Sequence, residues 1–185
     1  MERIAIPLDN LIVRPIHLWS EQWFLLAAGD YRAGQFNAMT VAWGSLGVMW
    51  NRPFAQIVIR PTRHTYRFTE GYPTFTLCAF PESCRRALVH CGTTSGRDGD
   101  KIATSGLTPM ASTVVAAPSF EEAELVLECR TLYHDRFDPA RFVDRSIDGE
   151  YPEHDYHGVY FGEIVSAWGV PGYLAADSKA PPSGP

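Results

Sequence analysis

The 185-residue sequence lacks the features that mark membrane proteins and nucleic-acid-binding proteins. No apolar run approaches the roughly 18 residues of a membrane-spanning helix, and no basic and apolar leader opens the chain. The formal net charge is −5, whereas a nucleic-acid-binding protein presents a basic face. We therefore expect no membrane partner, no nucleic-acid partner and a cytoplasmic location.

Cysteine is scarce, and no two cysteines have the close spacing of a zinc ribbon or a redox pair. We expect Cys78, Cys84, Cys91 and Cys129 to be reduced thiols packed as small hydrophobic residues, with no metal bound. Zinc held by an irregular set of ligands remains the alternative. The sequence also lacks a Walker loop and the glycine-rich Rossmann fingerprint, so neither of these loops binds a nucleotide here.

What the chain does have is enough apolar material for one packed domain. Hydrophobic residues make up 45% of the sequence and aromatic residues 12%, which is typical of a globular protein. No repeat and no linker divides the chain. We predict a single domain over residues 1–175 and a flexible C-terminal tail over residues 176–185, because the last residues are small, polar or proline.

Short apolar segments in quick succession predict a mainly β fold. Strands are predicted at residues 22–29, 36–43, 54–60, 74–80, 123–137 and 158–169, with a weak edge strand at 113–117. Gly44 and Gly47 are expected to end the second strand. The connection to the third strand is too short for a helical crossover, so neighbouring strands should be antiparallel.

Short helices are predicted between the strands. One begins with Thr62 as its cap and ends near Gly71, and a second covers residues 82–91 with Gly92 after its end. A third element, one or two helical turns long, follows Asp138. Together these elements predict a small antiparallel Greek-key β-barrel with short α-helices.

The segment "CGTTSGRDGDK" has almost no residue that a core could use. One interpretation is a solvated loop, because short hydroxyl side chains compete with the backbone for hydrogen bonds. The other is an anion site, in which glycine amides and hydroxyls surround an oxyanion that Arg97 and Lys101 neutralise. The local sequence leaves both open.

Four segments in order resemble the flavin reductase-like family of FMN-binding split barrels, and within it the flavoredoxin-like branch. They are "NAMTVAWGSLGVMWNRP", "IVIRPTRHTYRFTE", "FTLCAF" and "CGTTSGRDGDK", with weaker support from "YHGVYFGEIVSAW". The resemblance implies a split β-barrel of the FMN-binding type. It also implies a homodimer with one FMN per subunit, bound near the subunit interface.

The resemblance implies three groups of cofactor-binding residues. Those on the phosphate side are Ser95, Gly96, Arg97, Asp98 and Lys101, together with Arg60, Arg63, His64 and Thr65. Those near the isoalloxazine ring are Asn37, Met39, Thr40, Val41, Ala42 and Trp43, and His157 approaches the flavin across the dimer.

Several of these residues have a simpler interpretation. Asp98 and Asp100 either orient Arg97 and Lys101 or cap the helix that starts there. His64 stands where the family more often has tyrosine, so it is also explained as a surface histidine, and His157 as part of a polar loop.

The function that the resemblance implies is an FMN-dependent oxidoreductase. NADH or NADPH reduces the flavin, and the electrons pass to an unknown acceptor. The flavin carries the redox chemistry, so no catalytic residue is assigned. The alternatives are a non-enzymatic electron carrier that serves a protein partner and a flavin-binding barrel without turnover.

Overall fold

The computed structural model describes residues 2–176 and consists mainly of β-strands. The strands are β1 (Ile4–Ala5), β2 (Phe24–Asp30), β3 (Gln35–Val41), β4 (Gly44–Met49), β5 (Arg52–Ile59), β6 (Thr74–Ala79), β7 (Pro109–Met110), β8 (Ser119–Phe120), β9 (Leu125–Arg136) and β10 (Gly158–Gly169). All strand pairings among the described residues are antiparallel. The prediction of a mainly β, antiparallel fold with short helices is confirmed.

The main sheet has the order β3-β2-β6-β9-β10-β5-β4, and β1 pairs with part of β10. Seven strands about 4.8 Å apart would place β3 and β4 about 29 Å from each other in a flat sheet. Only Ala42 and Trp43 connect these two edge strands, and this connection reaches at most about 11 Å. The sheet must therefore curl until its edges approach each other at this point, although no hydrogen-bonded ladder joins them.

The helices are short. They are α1 (Pro15–His17), which continues into a π-helical turn at Leu18–Gln22, α2 (Tyr66–Gly71), α3 (Arg85–Thr93) and α4 (Lys101–Ser105). The long connection between β9 and β10 contains 3₁₀ turns at Pro139–Arg141 and Arg145–Glu150. As predicted, Asp138 caps the first of these turns, with its carboxylate accepting from the Ala140 amide at 2.9 Å.

Hydrophobic residues pack on both faces of the curled sheet. Strand β2 shows this directly, because Phe24, Leu26 and Ala28 belong to one buried cluster while Leu25 and Ala27 belong to another. The first cluster fills the inside of the curled sheet. The second lies under α3 and α4, where Leu88 and Ile102 are buried. Helices α3 and α4 are therefore fixed against the outer face of β2 and β3.

Two strand predictions are wrong. Residues 113–117 form bends instead of a strand, because the amides of Thr113, Val114 and Val115 all donate to the buried carboxylate of Glu128 at 2.7–3.2 Å. Gly44 does not end the second strand but begins β4. A Cβ at Gly44 would lie 2.4 Å from the Trp19 ring, so this glycine permits close packing.

Two helix boundaries also differ from the prediction. Thr62 does not cap α2, because its hydroxyl donates to Asp155 at 3.1 Å and the helix begins four residues later. Gly92 does not follow α3 but lies in its last turn, where a Cβ would be 3.3 Å from Thr40. The predicted end of α2 at Gly71 is confirmed.

No helix in the described part of the chain has the length and apolar character needed to cross a membrane. The predicted tail, residues 176–185, lies outside the described residues except for Ala176. The single domain and the cytoplasmic location stay predictions.

Candidate functional site

A cavity of about 220 Å³ lies where the two edges of the sheet approach each other, and we call it the edge-strand pocket. It is lined by Met39, Thr40, Val41, Ala42, Trp43, Val58, Arg60 and His157. Because β3 has a neighbour on one side only, some of its backbone amides and carbonyls are free to bind a ligand. The pocket therefore combines hydrogen-bonding backbone groups with apolar side chains.

The side chains of β3 alternate between the interior of the curled sheet and its outer face, which α3 covers. Met39 and Val41 are buried in the interior cluster, while the Thr40 hydroxyl donates to the Leu88 carbonyl of α3 at 2.5 Å. The proton of this hydroxyl is thus used within the protein. Any contact of Thr40 with a ligand is left to its backbone groups and to the lone pairs of its hydroxyl.

One wall of the edge-strand pocket consists of aromatic rings. Trp43 is 47% exposed, and its ring centroid lies 5.3 Å from that of His157. His157 is buried, and its Nδ1 lies 2.8 Å from the hydroxyl of Tyr151. Burial lowers the pKa of His157 to about 4, and the nearby Arg60 charge acts in the same direction. The imidazole is therefore neutral at pH 7.

The structure places Arg60 in the lining of this pocket, whereas the family resemblance groups it with the phosphate-side residues. Its guanidinium pairs with the Asp155 carboxylate at 2.7 Å, donates to the Glu150 carbonyl at 2.7 Å and lies 5.0 Å from the centroid of the Tyr151 ring. Since a carboxylate already neutralises it, Arg60 is not a free cation for a phosphate. It ties the segment before β10 to the end of β5.

A second cavity, of about 270 Å³, is lined in part by the residues that follow Arg60 from Thr62 onward, and we call it the basic pocket. It is lined by Thr62, Arg63, His64, Thr65, Thr93, Thr94, Ser95, Arg97 and Lys101. Among the described residues, the lining contains three cations and four threonines but no carboxylate. This composition suits an anion with several oxygens.

Lys101 is the most buried cation of the basic pocket, with 4% of its surface exposed. Its ammonium donates to the carbonyls of Cys91 and Thr94 at 2.8 and 3.0 Å. Burial, together with a smaller contribution from the charge of Arg63, lowers the pKa of Lys101 from its ordinary 10.5 to about 8. An anion in the pocket would offset this destabilisation of the charged form.

The two guanidiniums of the basic pocket are also held by carbonyls. Arg63 donates to the Gly92 carbonyl at the end of α3, and Arg97 donates to the Thr62 carbonyl at 2.9 Å. Within residues 2–176, neither arginine nor Lys101 forms an ion pair with a carboxylate. The pocket therefore holds a concentrated positive charge in a chain whose net charge is negative.

Gly96 and Asn37 fix the loop that carries Arg97. A Cβ at Gly96 would lie 2.4 Å from the Asn37 side-chain oxygen and 2.9 Å from the His64 ring, so only glycine fits here without movement. Asn37 itself is buried and donates to the Thr65 hydroxyl at 2.8 Å. Asn37 and Thr65 thus link β3, the turn after β5 and the Gly96 loop.

His64 has an unsatisfied polar atom at this place. Its Nδ1 is sealed from solvent and has no hydrogen-bond partner among the described residues. Burial lowers the pKa of His64, and the charges of Arg67, Arg97 and Lys101 act in the same direction. The neutral ring packs edge to face on Phe68, with centroids 5.6 Å apart.

Of the two aspartates in "CGTTSGRDGDK", Asp100 takes the second predicted role, that of a helix cap, and Asp98 takes neither role. Asp100 caps α4, and its carboxylate accepts from the amides of Ile102 and Ala103 at 3.1 and 3.0 Å. Asp98 is exposed and lines neither pocket. Neither aspartate pairs with Arg97 or Lys101 in the described part of the chain.

The structure thus places most of the predicted site residues around two neighbouring pockets. Sequence reasoning did not assign Thr62, Thr93 and Thr94 to the basic pocket or Val58 to the edge-strand pocket. The three threonines lie in or beside the segments that carried the prediction, so their hydroxyls were the available signal. Tyr151, which contacts His157, left no signal in the sequence.

Known proteins were compared with this chain by family model, by curated sequence and by structure. The model of the flavin reductase like domain matches residues 20–178. The comparison with curated proteins found no match. The structural comparison found 69 matching chains, and the following three are among them.

The flavoredoxin from Methanosarcina acetivorans is 24% identical, with a TM-score of 0.64 and coverage of 94% of this chain and 78% of that one. An FMN-binding domain of a flavin reductases-like enzyme from Shewanella baltica OS155 is 16% identical, with a TM-score of 0.65 and coverage of 91% and 77%. An NADH:FAD oxidoreductase from Streptomyces globisporus is 16% identical, with a TM-score of 0.58 and coverage of 79% and 74%.

The TM-scores show that these three proteins share the fold of this chain. The family model covers most of the chain. The predicted split-barrel architecture and the predicted family resemblance are both confirmed. The chain belongs to the flavin reductase-like domain family.

Proposed function

We propose that this chain binds FMN across the two pockets and works as a redox protein. The phosphate occupies the basic pocket, and the isoalloxazine ring occupies the edge-strand pocket. The observation that carries this proposal is the set of three cations in the basic pocket that form no ion pair with a carboxylate of residues 2–176. The description of the Shewanella baltica domain as FMN-binding supports the choice of flavin.

The donors of the basic pocket fit a phosphate monoester. Such a group carries nearly two negative charges and three acceptor oxygens, which require charged donors and short hydroxyls. Arg63 and Arg97 supply planar guanidiniums, Lys101 supplies a point charge, and Thr94 and Ser95 supply neutral donors. The orphaned Nδ1 of His64 shows that polar groups at this place are not fully satisfied by the protein alone.

The edge-strand pocket fits one edge of a planar heterocycle. Unpaired backbone groups of β3 can donate to and accept from the ring, while Met39 and Trp43 offer apolar contact. His157 and Arg60 line the same pocket, and the His157 ring lies beside Trp43. Donors directed at the pyrimidine end of a flavin favour its reduced anion.

Bound flavin supplies the two-electron chemistry, and the protein positions it and limits the access of water. We infer that NADH or NADPH donates the hydride, because the fold is shared with an NADH:FAD oxidoreductase. The chain itself needs only to leave the reactive face of the ring accessible, which the open edge-strand pocket does. The electron acceptor remains unassigned.

A non-enzymatic electron carrier is the second candidate function. The observation that favours it is the turn between β4 and β5, where Val48 and Trp50 are 75% and 55% exposed. Such an apolar surface suits contact with another protein. The structural similarity to a flavoredoxin is consistent with this alternative.

We also propose that the protein is a homodimer, with the flavin site near the subunit interface. Trp43, which lines the edge-strand pocket and is 47% exposed, provides apolar surface for such an interface. Light scattering of the FMN-loaded protein should give the mass of a dimer. A monomeric mass with FMN fully bound would contradict a shared site.

The experiment that separates the functions is anaerobic mixing of the FMN-loaded protein with NADH and, separately, with NADPH. Rapid loss of the visible absorbance that makes oxidised flavin yellow supports a reductase. Absorbance that only an external reductant such as dithionite removes supports a carrier. A protein that does not bind FMN at all would overturn both proposals.

A further inference from the structure

The β9–β10 connection places a buried tyrosine directly behind the histidine of the edge-strand pocket. Tyr151 is 2% exposed and His157 is 8% exposed, and the phenol oxygen lies 2.8 Å from Nδ1 of the imidazole. The two rings pack edge to face, with centroids 5.4 Å apart. Neighbouring side chains hold both residues in place. Arg60 contacts Tyr151 on one side, and Trp43 contacts His157 on the other.

The direction of this hydrogen bond follows from the proton of the phenol. Among the described residues, His157 Nδ1 is the only acceptor within reach of the Tyr151 hydroxyl. If Nδ1 carried the proton instead, the phenol hydrogen would be buried without an acceptor, which costs free energy. The phenol therefore donates and Nδ1 accepts.

The other ring nitrogen of His157 faces the pocket. Nε2 forms no hydrogen bond within residues 2–176, yet it is not among the polar atoms sealed from solvent. The residue lines the edge-strand pocket together with Val58 and Arg60. With Nδ1 accepting from Tyr151, a neutral imidazole carries its proton on Nε2 and presents a donor to whatever occupies the pocket.

We propose that Tyr151 is a positioning residue, which holds His157 in the Nε2–H tautomer so that the histidine donates a hydrogen bond into the edge-strand pocket. The partner of this donor is an acceptor atom, a carbonyl oxygen or a pyridine-type nitrogen, of the flavin or of the reactant that meets it. The identity of that partner rests on the proposed function, whereas the tautomer does not. Tyr151 acts through His157 and does not itself reach the pocket lining.

Burial, reinforced by the charge of Arg60, keeps the imidazole neutral. Arg60 and Asp155 are the charged groups close to His157, and they form an ion pair at 2.7 Å. Burial and the Arg60 charge disfavour an imidazolium, while Asp155 favours it. A neutral donor can bind an acceptor atom without adding a positive charge beside the ring.

The test is ¹⁵N NMR of the histidine-labelled protein without FMN, with the His157 signals assigned by their loss in His157→Gln. We expect Nδ1 to be unprotonated and Nε2 protonated, with no change between pH 8 and pH 5. In Tyr151→Phe we expect a mixture of tautomers and a titration that begins at higher pH, because a donor to the neutral form has been removed. Tyr156→Phe is the matched control, since its hydroxyl donates to Asp148 and not to His157.

A wild-type spectrum with the proton on Nδ1 would overturn the proposal, and so would a Tyr151→Phe spectrum identical to that of the wild type. If Tyr151→Phe does not fold, the wild-type spectrum still decides. In the FMN-loaded protein, Tyr151→Phe should weaken binding of the proposed reactant, NADH or NADPH, about fivefold, which is the equivalent of about 1 kcal/mol. Failure of the proposed function would show separately, as absence of FMN binding with an unchanged tautomer.

Discussion

Replacing Lys101 by methionine tests the basic pocket, because the change removes the buried ammonium and keeps an unbranched side chain of similar length. If Lys101 contacts the flavin phosphate, the variant loses a hydrogen bond between charged groups. Such bonds contribute about 1.5–3 kcal/mol, so the dissociation constant for FMN should increase about 10- to 150-fold. Riboflavin has no phosphate, and its affinity should change little.

The same substitution should have a small effect on the unbound protein. A pKa lowered from 10.5 to about 8 means that burial of the charged Lys101 opposes folding by roughly 3 kcal/mol at pH 7. The unfolded chain then binds the Lys101 proton more tightly, so this cost is complete below pH 8 and disappears between about pH 8 and 10.5. Methionine removes the cost but also removes two hydrogen bonds to carbonyls, and we expect the two effects to cancel to within about 2 kcal/mol.

The pH dependence of FMN binding provides an independent test of Lys101. Loss of the Lys101 proton above about pH 8 should weaken FMN binding by the wild type relative to riboflavin binding, whereas the methionine variant should show no such difference. The assay is titration of flavin fluorescence with both ligands at several pH values, together with urea unfolding of the unbound proteins. Arg86→Met is the matched control, because it removes one positive charge from an exposed position on α3.

Three results would refute this reasoning. Unchanged FMN affinity in Lys101→Met would show that the ammonium does not contact the phosphate. Equal losses for FMN and riboflavin would show that the variant damages the fold and not a phosphate contact. An equal loss of FMN affinity in Arg86→Met would reduce the effect to the net charge of the chain.

Three further predictions concern the loop, the core and the thiols. Gly96→Ala should destabilise the protein by about 1–3 kcal/mol in urea unfolding and weaken FMN binding, because its methyl group would meet Asn37, whereas Gly71→Ala, with no atom within 4 Å of its Cβ, should change stability little. Glu128→Gln should lower the free energy of unfolding by about 1–3 kcal/mol, since three backbone amides lose a carboxylate acceptor, and an unchanged urea midpoint would contradict this. Replacement of all four cysteines should leave FMN reducible in the folded fraction, and Ellman's reagent should react first with the half-buried Cys84, because the other three thiols are buried; loss of flavin reduction in a folded, yellow variant would oppose this.

The strands could be predicted because each is a short apolar segment bounded by glycine, proline or polar residues. Strands β9 and β10 were predicted almost to the residue, since their alternation continues over 12 positions. The failures came from side chains distant in sequence. The amides of residues 113–115 turn toward Glu128, and no local pattern indicates that a carboxylate on β9 accepts from them.

The site was predictable in its chemistry but not in its arrangement. The segments "CGTTSGRDGDK" and "RPTRHT" contain the cations and hydroxyls that line the basic pocket, so the residue types alone indicated an anion site. The sequence could not show that Asp155 neutralises Arg60, because 95 residues separate them. The sequence also could not show that Arg60 and Arg63 line different pockets, because they are only three positions apart.

The two-residue link between β3 and β4 also has a consequence for folding kinetics. Strands β2 and β3 form one local hairpin and β4 and β5 another, but the ladder joins them only through β6, β9 and β10. The β5–β10 pairing brings together residues about a hundred positions apart, and contacts of such high order form late in folding. Met39 lies on the first hairpin and Val58 on the second, so the pocket that they share requires both hairpins in place. A ligand that spans both hairpins binds the completed fold alone, so it should slow global unfolding and raise the protection of amides far from the pocket.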